Sequence, residues 1–226
     1  MEEPPQKSDL IKVKTTLPAM PLPASADRTV VKTKRLLIRP LHASDIDAYY
    51  SMRTQPEVMY YTLSGRIDAS KEESQQRLNN YLPPNDVRSH NCAICLLDTG
   101  EFIGAGGVHQ LGSIYGWPEV GYQLRKEYWG AGLATEFLQA FLIMWKSLPR
   151  VETELLVDPR TVTGDDGSSE EQIIAIIEDS NIGSGRVLTK NGFENFLTVK
   201  DKNSHENPES EYVDLPIFRY YPGRAS

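Results

Sequence analysis

The segment from Glu119 to Lys146, EVGYQLRKEYWGAGLATEFLQAFLIMWK, constrains this chain more than any other, because it reads as a strand, a tight glycine turn and a helix in immediate succession. Val120, Tyr122 and Leu124 alternate with Glu119, Gly121 and Gln123, the period-2 pattern of a strand with β-branched and aromatic residues on one face. After the turn, Leu133, Phe137, Leu138, Phe141, Leu142 and Trp145 recur at three- and four-residue spacing, the apolar stripe of a packed helix. The turn itself is Trp129-Gly130-Ala131-Gly132-Leu133. Gly130 and Gly132 have no Cβ to hold a ligand off the backbone, and the helix that follows offers unpaired N–H groups at its positive dipole end. Together these features predict an anion site suited to a phosphate.

Glycine spacing separates the phosphate ligands. A P-loop requires G-x-x-x-x-G-K-[ST], and a dinucleotide fingerprint requires G-x-G-x-x-G with an acidic residue about 20 positions on. Neither fits, because Thr135 holds the third glycine position and no lysine follows at the P-loop spacing. Downstream, Gln172 to Ile177, QIIAII, is an apolar run suited to a buried strand, and Glu178-Asp179-Ser180-Asn181 leads from it into NIGSGRVLTKNGFE. The W-G-x-G-L-A-T-E turn resembles the acyl-CoA pyrophosphate loop of the GNAT superfamily of N-acetyltransferases, particularly the branch that acetylates ribosomal-protein amino termini. In that branch the later helix reads N-x-x-S-x-R-V-L-x-K-x-G-F, which Asn181, Ser184, Arg186, Val187, Leu188, Lys190, Gly192 and Phe193 match position by position. The resemblance covers Thr33 to Tyr220.

The resemblance implies an α/β (α+β) fold: a single domain with a mixed, mostly antiparallel twisted sheet, helices on both faces, and splayed parallel central strands at Glu119–Leu124 and Gln172–Ile177. It implies acetyl-CoA as co-substrate, with the pantetheine arm pairing like a short strand in the splay. Residues expected to hold it are Gln123, Leu124, Arg125, Trp129, Gly130, Ala131, Gly132, Leu133, Ala134, Thr135, Asn181, Ser184 and Arg186, with a backbone N–H at or near Gln123 polarising the thioester carbonyl. The reaction that the resemblance implies is transfer of acetyl to a primary amine, a protein N-terminus or a small amine. An alkyl ammonium of pKa near 10.4 must first lose a proton. Glu119 is the first candidate base, followed by Glu178 and Asp179. Tyr49, Tyr50, Tyr60 and Tyr61, on the first helices and their connection, are candidates for lining the acceptor site. Leucine at 188 replaces the tyrosine with which many members protonate the leaving thiolate, and Glu127 stands where many have Gln or Arg. A degenerate relative that binds acyl-CoA as a sensor or scaffold is the alternative reading.

The rest of the chain fits this frame. With 226 residues, 39% of them hydrophobic, it suffices for one α/β core, 28–226, with an insertion at about 147–171. No apolar run approaches the roughly 18 residues of a membrane span and no signal-peptide order opens the chain, so a cytoplasmic or nuclear location is expected. A net charge of −7 argues against broad nucleic-acid binding and admits a cationic substrate. Either a monomer or a dimer is compatible with it. Residues 1–27, rich in proline and without a regular period, read as an arm or linker. Arg28 to Arg39 reads as a first strand, a helix follows with Ser44 as its cap signal, and Glu57 to Thr62 as strand-like or irregular. Asp68 to Leu82 is a helix with a capping box from Ser70 to Glu73.

Asn91–Leu97 and Glu101–Leu111 form a hairpin turning at Asp98-Thr99-Gly100. Within it, Cys92 and Cys95 point to opposite faces of a strand and make no metal or redox pair, and Gly104 to Gly107 serve close backbone approach or a bulge. The four histidines lack ligand spacing, so no metal is expected; His109 is the one to consider near the chemistry, and a structural role is favoured for it over catalysis. Val151 to Val157 extends the helix or adds a strand, and Asp158 to Glu171 is a mobile surface loop. Phe196–Lys200 and Glu211–Tyr220 close the fold around a polar loop, with Pro216 placing the last strand at an edge or bulge.

Overall fold

The computed structural model describes residues 2–164, 166–203, 205 and 210–224. In chain order the elements are β1 (Ile11–Pro18), β2 (Val31–Lys32), β3 (Leu36–Pro40), α1 (Ile46–Arg53), α2 (Pro56–Tyr60), α3 (Lys71–Asn79), β4 (His90–Leu96), β5 (Phe102–Gln110) and β6 (Glu119–Leu124). They continue with α4 (Leu133–Lys146), β7 (Arg150–Val157), β8 (Ile173–Ile176), α5 (Ile182–Lys190), β9 (Glu194–Lys202) and β10 (Tyr212–Tyr220). Eight strands form one sheet in the order β2-β3-β4-β5-β6-β8-β10-β9. Every pairing is antiparallel except β6 with β8, which run parallel and share a single register pair, Glu119 opposite Ile174.

Alternation along the strands gives the sheet two cores. On one face, Ile38, Cys92, Ile94, Val108, Val120 and Phe218 pack under the apolar stripe of α4 and under Leu188 of α5. On the other face, Tyr49 and Met52 of α1 and Leu78 of α3 cover Ala93, Cys95, Phe102 and Ala105. Cys92 and Cys95 therefore lie in different cores, as strand geometry requires, and burial pushes the Cys92 thiol up to about 12. Among the described residues no cluster of His, Cys, Asp and Glu is placed to hold a metal. The hairpin glycines do permit close approach, since a Cβ on Gly104 would stand 2.2 Å from the Gln123 carbonyl oxygen. No described helix is long and apolar enough to cross a membrane.

The largest departure from the sequence reading is the fate of the proline-rich arm. Its Ile11–Pro18 segment is a strand, paired antiparallel over eight positions with β7, which settles the choice left open for Val151–Val157. This two-stranded ribbon covers the second face beside the helices, burying Val13 and Val157 with Tyr115, Trp117, Ile174, Val199 and Ile217. Arm and insertion each lack a partner in the sequence pattern because each is the other's partner. The loop after β7 is anchored rather than free: Thr161 is fully buried and accepts from Trp117 Nε1 at 2.7 Å. Farther along it, the Glu171 carboxylate accepts from Trp145 Nε1 and from Arg150. Residue 165 of that loop, and 204 and 206–209 of the polar loop between the closing strands, lie outside the described residues.

Smaller corrections have local causes. Arg28–Arg39 is not one strand, because Thr33 bonds back to Leu36 through both main chain and hydroxyl and folds it into the β2–β3 hairpin. Asp45, not Ser44, organises the start of α1, accepting the His42 N–H and both terminal nitrogens of Arg39. Residues 56–60 are helical, with Pro56 at the first position, where its missing N–H costs nothing. Ser70 caps α3 by accepting the Glu73 N–H, but the Glu73 carboxylate returns to the Ala69 N–H rather than to Ser70. β10 lies between β8 and β9, not at an edge. Pro216 is tolerated there because its carbonyl accepts from Ile177 just past the end of β8, so the missing N–H falls where pairing stops, and a register shift follows at Ile217.

Candidate active site

The central feature is the gap that opens between β6 and β8 beyond Glu119. Arg125 N–H donates to Ile103 O at 2.8 Å, which fixes the phase of β6: odd residues bond to β5, and even residues turn to β8. Ile174 N–H donating to Pro118 O agrees with that phase. Gln123 therefore directs its N–H to β5, contrary to the sequence expectation, and the main-chain groups facing the gap belong to Tyr122 and Leu124. The Leu124 carbonyl is already engaged by Trp129 Nε1 at 2.7 Å, which ties the glycine turn to the strand end.

Beyond Leu124 the chain makes a short 3-10 turn, Lys126–Tyr128, and enters the glycine loop. Gly130 and Gly132 have φ of +73° and +77°, a region that favours glycine, and Gly132 is the N-cap of α4. Among the described residues the N–H groups of Gly130 through Thr135 find no acceptor, which leaves six donors at a helix N-terminus. The loop is held from both sides. Arg35 donates to Ala131 O and pairs with Glu136, whose carboxylate also accepts from Thr33. Gln55, just before α2, donates to Glu127 and accepts the Lys126 N–H. Glu127 is thus a clamp residue, which explains its tolerance in place of the usual Gln or Arg. Arg125 is paired with Glu101 and Glu127 and is not free to supply charge to a phosphate.

On the other side of the gap, Asn181 Oδ1 caps α5 by accepting from Ser184 N–H, Arg186 is exposed, and Asn191 at the helix end donates to Thr135 O in the first turn of α4. Leu188 is fully buried in the core under α5, so a hydrophobic side chain suits its place. Tyr122 is the residue that sequence reasoning passed over. Its hydroxyl reaches Ser184 O at 3.4 Å across the helix face of the gap, and burial pushes its pKa up to about 12, keeping it protonated.

The candidate bases separate. Glu119 lies at the closed end of the gap on the face opposite α4, with His109 Nε2 3.5 Å from its carboxylate. Glu178 stands past the end of β8 with His205 Nε2 2.7 Å away. Asp179 lines a groove of 440 Å³ between α5 and β10, together with Asn181 and Arg186. The four tyrosines separate too. Tyr49 is buried edge-on against Phe102 beneath Arg53, with its hydroxyl pushed up to about 12 by burial, and is packing. Tyr50 is half-buried on α1. Tyr60 and Tyr61 are exposed at the end of α2; Tyr60 stacks on His205 with centroids 4.1 Å apart, and the Tyr61 hydroxyl reaches Ser180 O at 3.5 Å.

Comparison with known proteins agrees with this geometry. Residues 35–194 match the acetyltransferase (GNAT) domain family. The chain is 28% identical over 111 residues to the uncharacterized N-acetyltransferase p20 of Bacillus licheniformis, a match that spans 49% of this chain and 62% of that relative. Its fold is similar to a GNAT-family acetyltransferase from Bacillus anthracis, with a TM-score of 0.63 and 21% identity, covering 87% of this chain and all 100% of the other. It is similar also to RimL, a ribosomal L7/L12 alpha-N-protein acetyltransferase solved with coenzyme A, with a TM-score of 0.64, 15% identity, and 86% and 98% of the two chains covered. With the family match running over most of its length and the splayed strands and glycine loop in place, this chain belongs to the GNAT acetyltransferase family.

Proposed function

We propose that the protein transfers an acetyl group from acetyl-CoA directly to a primary amine. The observation that carries this reading is the combination of six acceptor-free N–H groups at the start of α4 with an open strand edge at Tyr122 and Leu124, a layout with the two chemistries that a CoA thioester needs. The pyrophosphate suits the glycine loop, where the donors are main-chain and indifferent to the loss of Arg125 as a charge. The amides of the pantetheine arm suit the open groups of β6, as an added strand would. That places the thioester beside the gap-facing N–H groups, where a hydrogen bond to its carbonyl oxygen stabilises the oxyanion formed on attack. Tyr122 is available to donate a proton to the thiolate that leaves, a role that Leu188 cannot fill. The amine approaches from the face opposite α4, where Glu119 and Glu178 are found and Tyr60 and Tyr61 are exposed at the end of α2. The net charge of −7 favours a cationic acceptor there.

Calorimetric titration of the purified protein with acetyl-CoA tests the first half of the proposal, with Gly130→Glu as the variant that fills and repels the phosphate site. Binding that is lost in the variant is expected. No binding by a folded wild type would overturn the reading.

A further inference from the structure

Past the end of β8, Glu178 is met by His205, a described residue between β9 and β10. His205 is held on three sides: Nε2 lies 2.7 Å from Glu178 Oε1, the ring stacks on Tyr60 with a 13° interplanar angle, and its main-chain N–H donates to Asn203 Oδ1. The side chain is only 6% exposed, and Nδ1 is buried without a hydrogen-bond partner among the described residues. An ionised carboxylate can only accept, so the contact with Glu178 keeps the hydrogen on Nε2 and leaves Nδ1 a bare lone pair when the ring is neutral. A buried acceptor with nothing to accept is disfavoured unless a donor arrives with a ligand.

Register places this group relative to the chemistry. With Glu119 opposite Ile174 as the last shared pair, Gln123 and Glu178 each lie four residues beyond it, so Glu178, with His205 beside it, belongs to the open end of the gap toward which the Tyr122 and Leu124 main-chain groups turn. Glu119, in contrast, sits where the strands still touch, and its partner His109 is farther off at 3.5 Å. On the acetyl-transfer reading above, we infer that His205 Nδ1 is the base that deprotonates the acceptor, with Glu178 as the positioning residue that fixes its tautomer and balances the imidazolium that forms. The arrangement has the logic of a nucleophile–histidine–carboxylate triad in which the nucleophile is the incoming amine. Among the described residues the groups facing the imidazole are Glu178 from the β8–α5 turn and Tyr60 from α2, and the exposed Tyr60 and Tyr61 form the rim by which the amine enters.

The step balances. The ammonium gives one proton to Nδ1; the freed amine lone pair attacks the thioester carbon, forming the C–N bond. The C–S bond then breaks, Tyr122 gives its hydroxyl proton to the thiolate, and the second proton lost from nitrogen restores that hydroxyl. The products are the amide, CoA thiol and one proton released from His205 to solvent.

The test compares wild type with His205→Ala, His205→Gln, Glu178→Gln and Glu119→Gln, reading thiol release from acetyl-CoA with an alanine-terminated peptide, spermidine and benzylamine, alongside calorimetric acetyl-CoA affinity. Both His205 variants are expected to bind acetyl-CoA as wild type does while kcat falls about 10²- to 10⁴-fold. Added imidazoles should restore His205→Ala at rates that rise with their basicity. A His205→Ala kcat within threefold of wild type overturns the inference. So does a loss that imidazole does not rescue, which marks a structural role, and so does a larger loss in Glu119→Gln. A wild type that binds acetyl-CoA yet releases no thiol with any amine refutes acetyl transfer itself, a result distinct from failure of the dyad. Should His205→Ala not fold, His205→Gln, which can still hydrogen-bond Glu178, carries the kcat comparison.

Discussion

Substituting Gly132 by alanine isolates what the glycine loop contributes to binding. At this position φ is +77°, and an added Cβ would meet nothing nearer than Arg35 Nη2 at 3.7 Å. Sterics against neighbours are therefore absent, and the whole effect is main-chain strain, about 1–2 kcal/mol for an L-residue in the left-handed region. In the free protein an exposed loop relieves that strain by leaving the conformation. In the complex it cannot, because the N–H groups of 130–135 must converge on one anion, so the cost falls on binding. At about 1.4 kcal/mol per factor of ten, the acetyl-CoA Kd should rise about 5- to 30-fold. Gly100→Ala is the matched control: its φ is +72°, nothing lies within 4 Å of the added Cβ, and it sits in the β4–β5 turn. The same strain there should appear as lost stability in urea melts and leave the Kd unchanged. Calorimetry on both variants decides the matter. An unaltered Kd for Gly132→Ala, or an equal loss in Gly100→Ala, would refute the reasoning.

Two further outcomes follow from buried contacts. Asp68, 2% exposed, accepts from Arg53 and from Ser74 and is ion-paired with Arg77; burial pushes its pKa up, but the bonds from Arg53 and Ser74 and the arginine charges outweigh it, and the net shift is downward. Its stabilisation is therefore complete above the unfolded carboxyl pKa of about 3.9 and is lost as pH falls below it through the lower folded value, while Asp68→Asn at neutral pH, leaving Arg53 buried and unpaired, should cost about 3–5 kcal/mol by denaturant titration. Val13→Ala should lower stability by about 1.5–3 kcal/mol, since Val13 is 1% exposed in the core under the ribbon; an unchanged urea midpoint would show that the ribbon is not docked.

The site was legible in the sequence where local spacing alone determines geometry. The glycine loop, the helix behind it and the opposite faces of Cys92 and Cys95 depend on neighbours within a few residues, and periodicity reports those. The phase of β6 was not legible, because whether Gln123 or Leu124 faces the gap depends on which partner strand lies on which side. Tyr49 and Tyr60 carry the same side chain eleven positions apart, and only the packing of α1 against β5 puts one in the core and leaves the other at the rim. The approach of His205 to Glu178, and of Gln55 to Glu127, spans 27 and 72 residues and leaves no periodic trace. The single hint for His205 was a lone histidine in an otherwise acidic and polar loop.

The ribbon has a consequence for how the chain comes together. Lys12 and Glu154 meet across 142 residues, so a segment made near the start of synthesis waits for a partner made long after α4 has formed. Closing so large a loop costs entropy that local helices and hairpins do not spend, and pairings of this span form slowly. β1 therefore joins late, over a sheet that has already chosen its strand order. Hydrogen exchange at Val13 and Thr15 would then report the moment at which the whole chain is in place, rather than the birth of the catalytic gap.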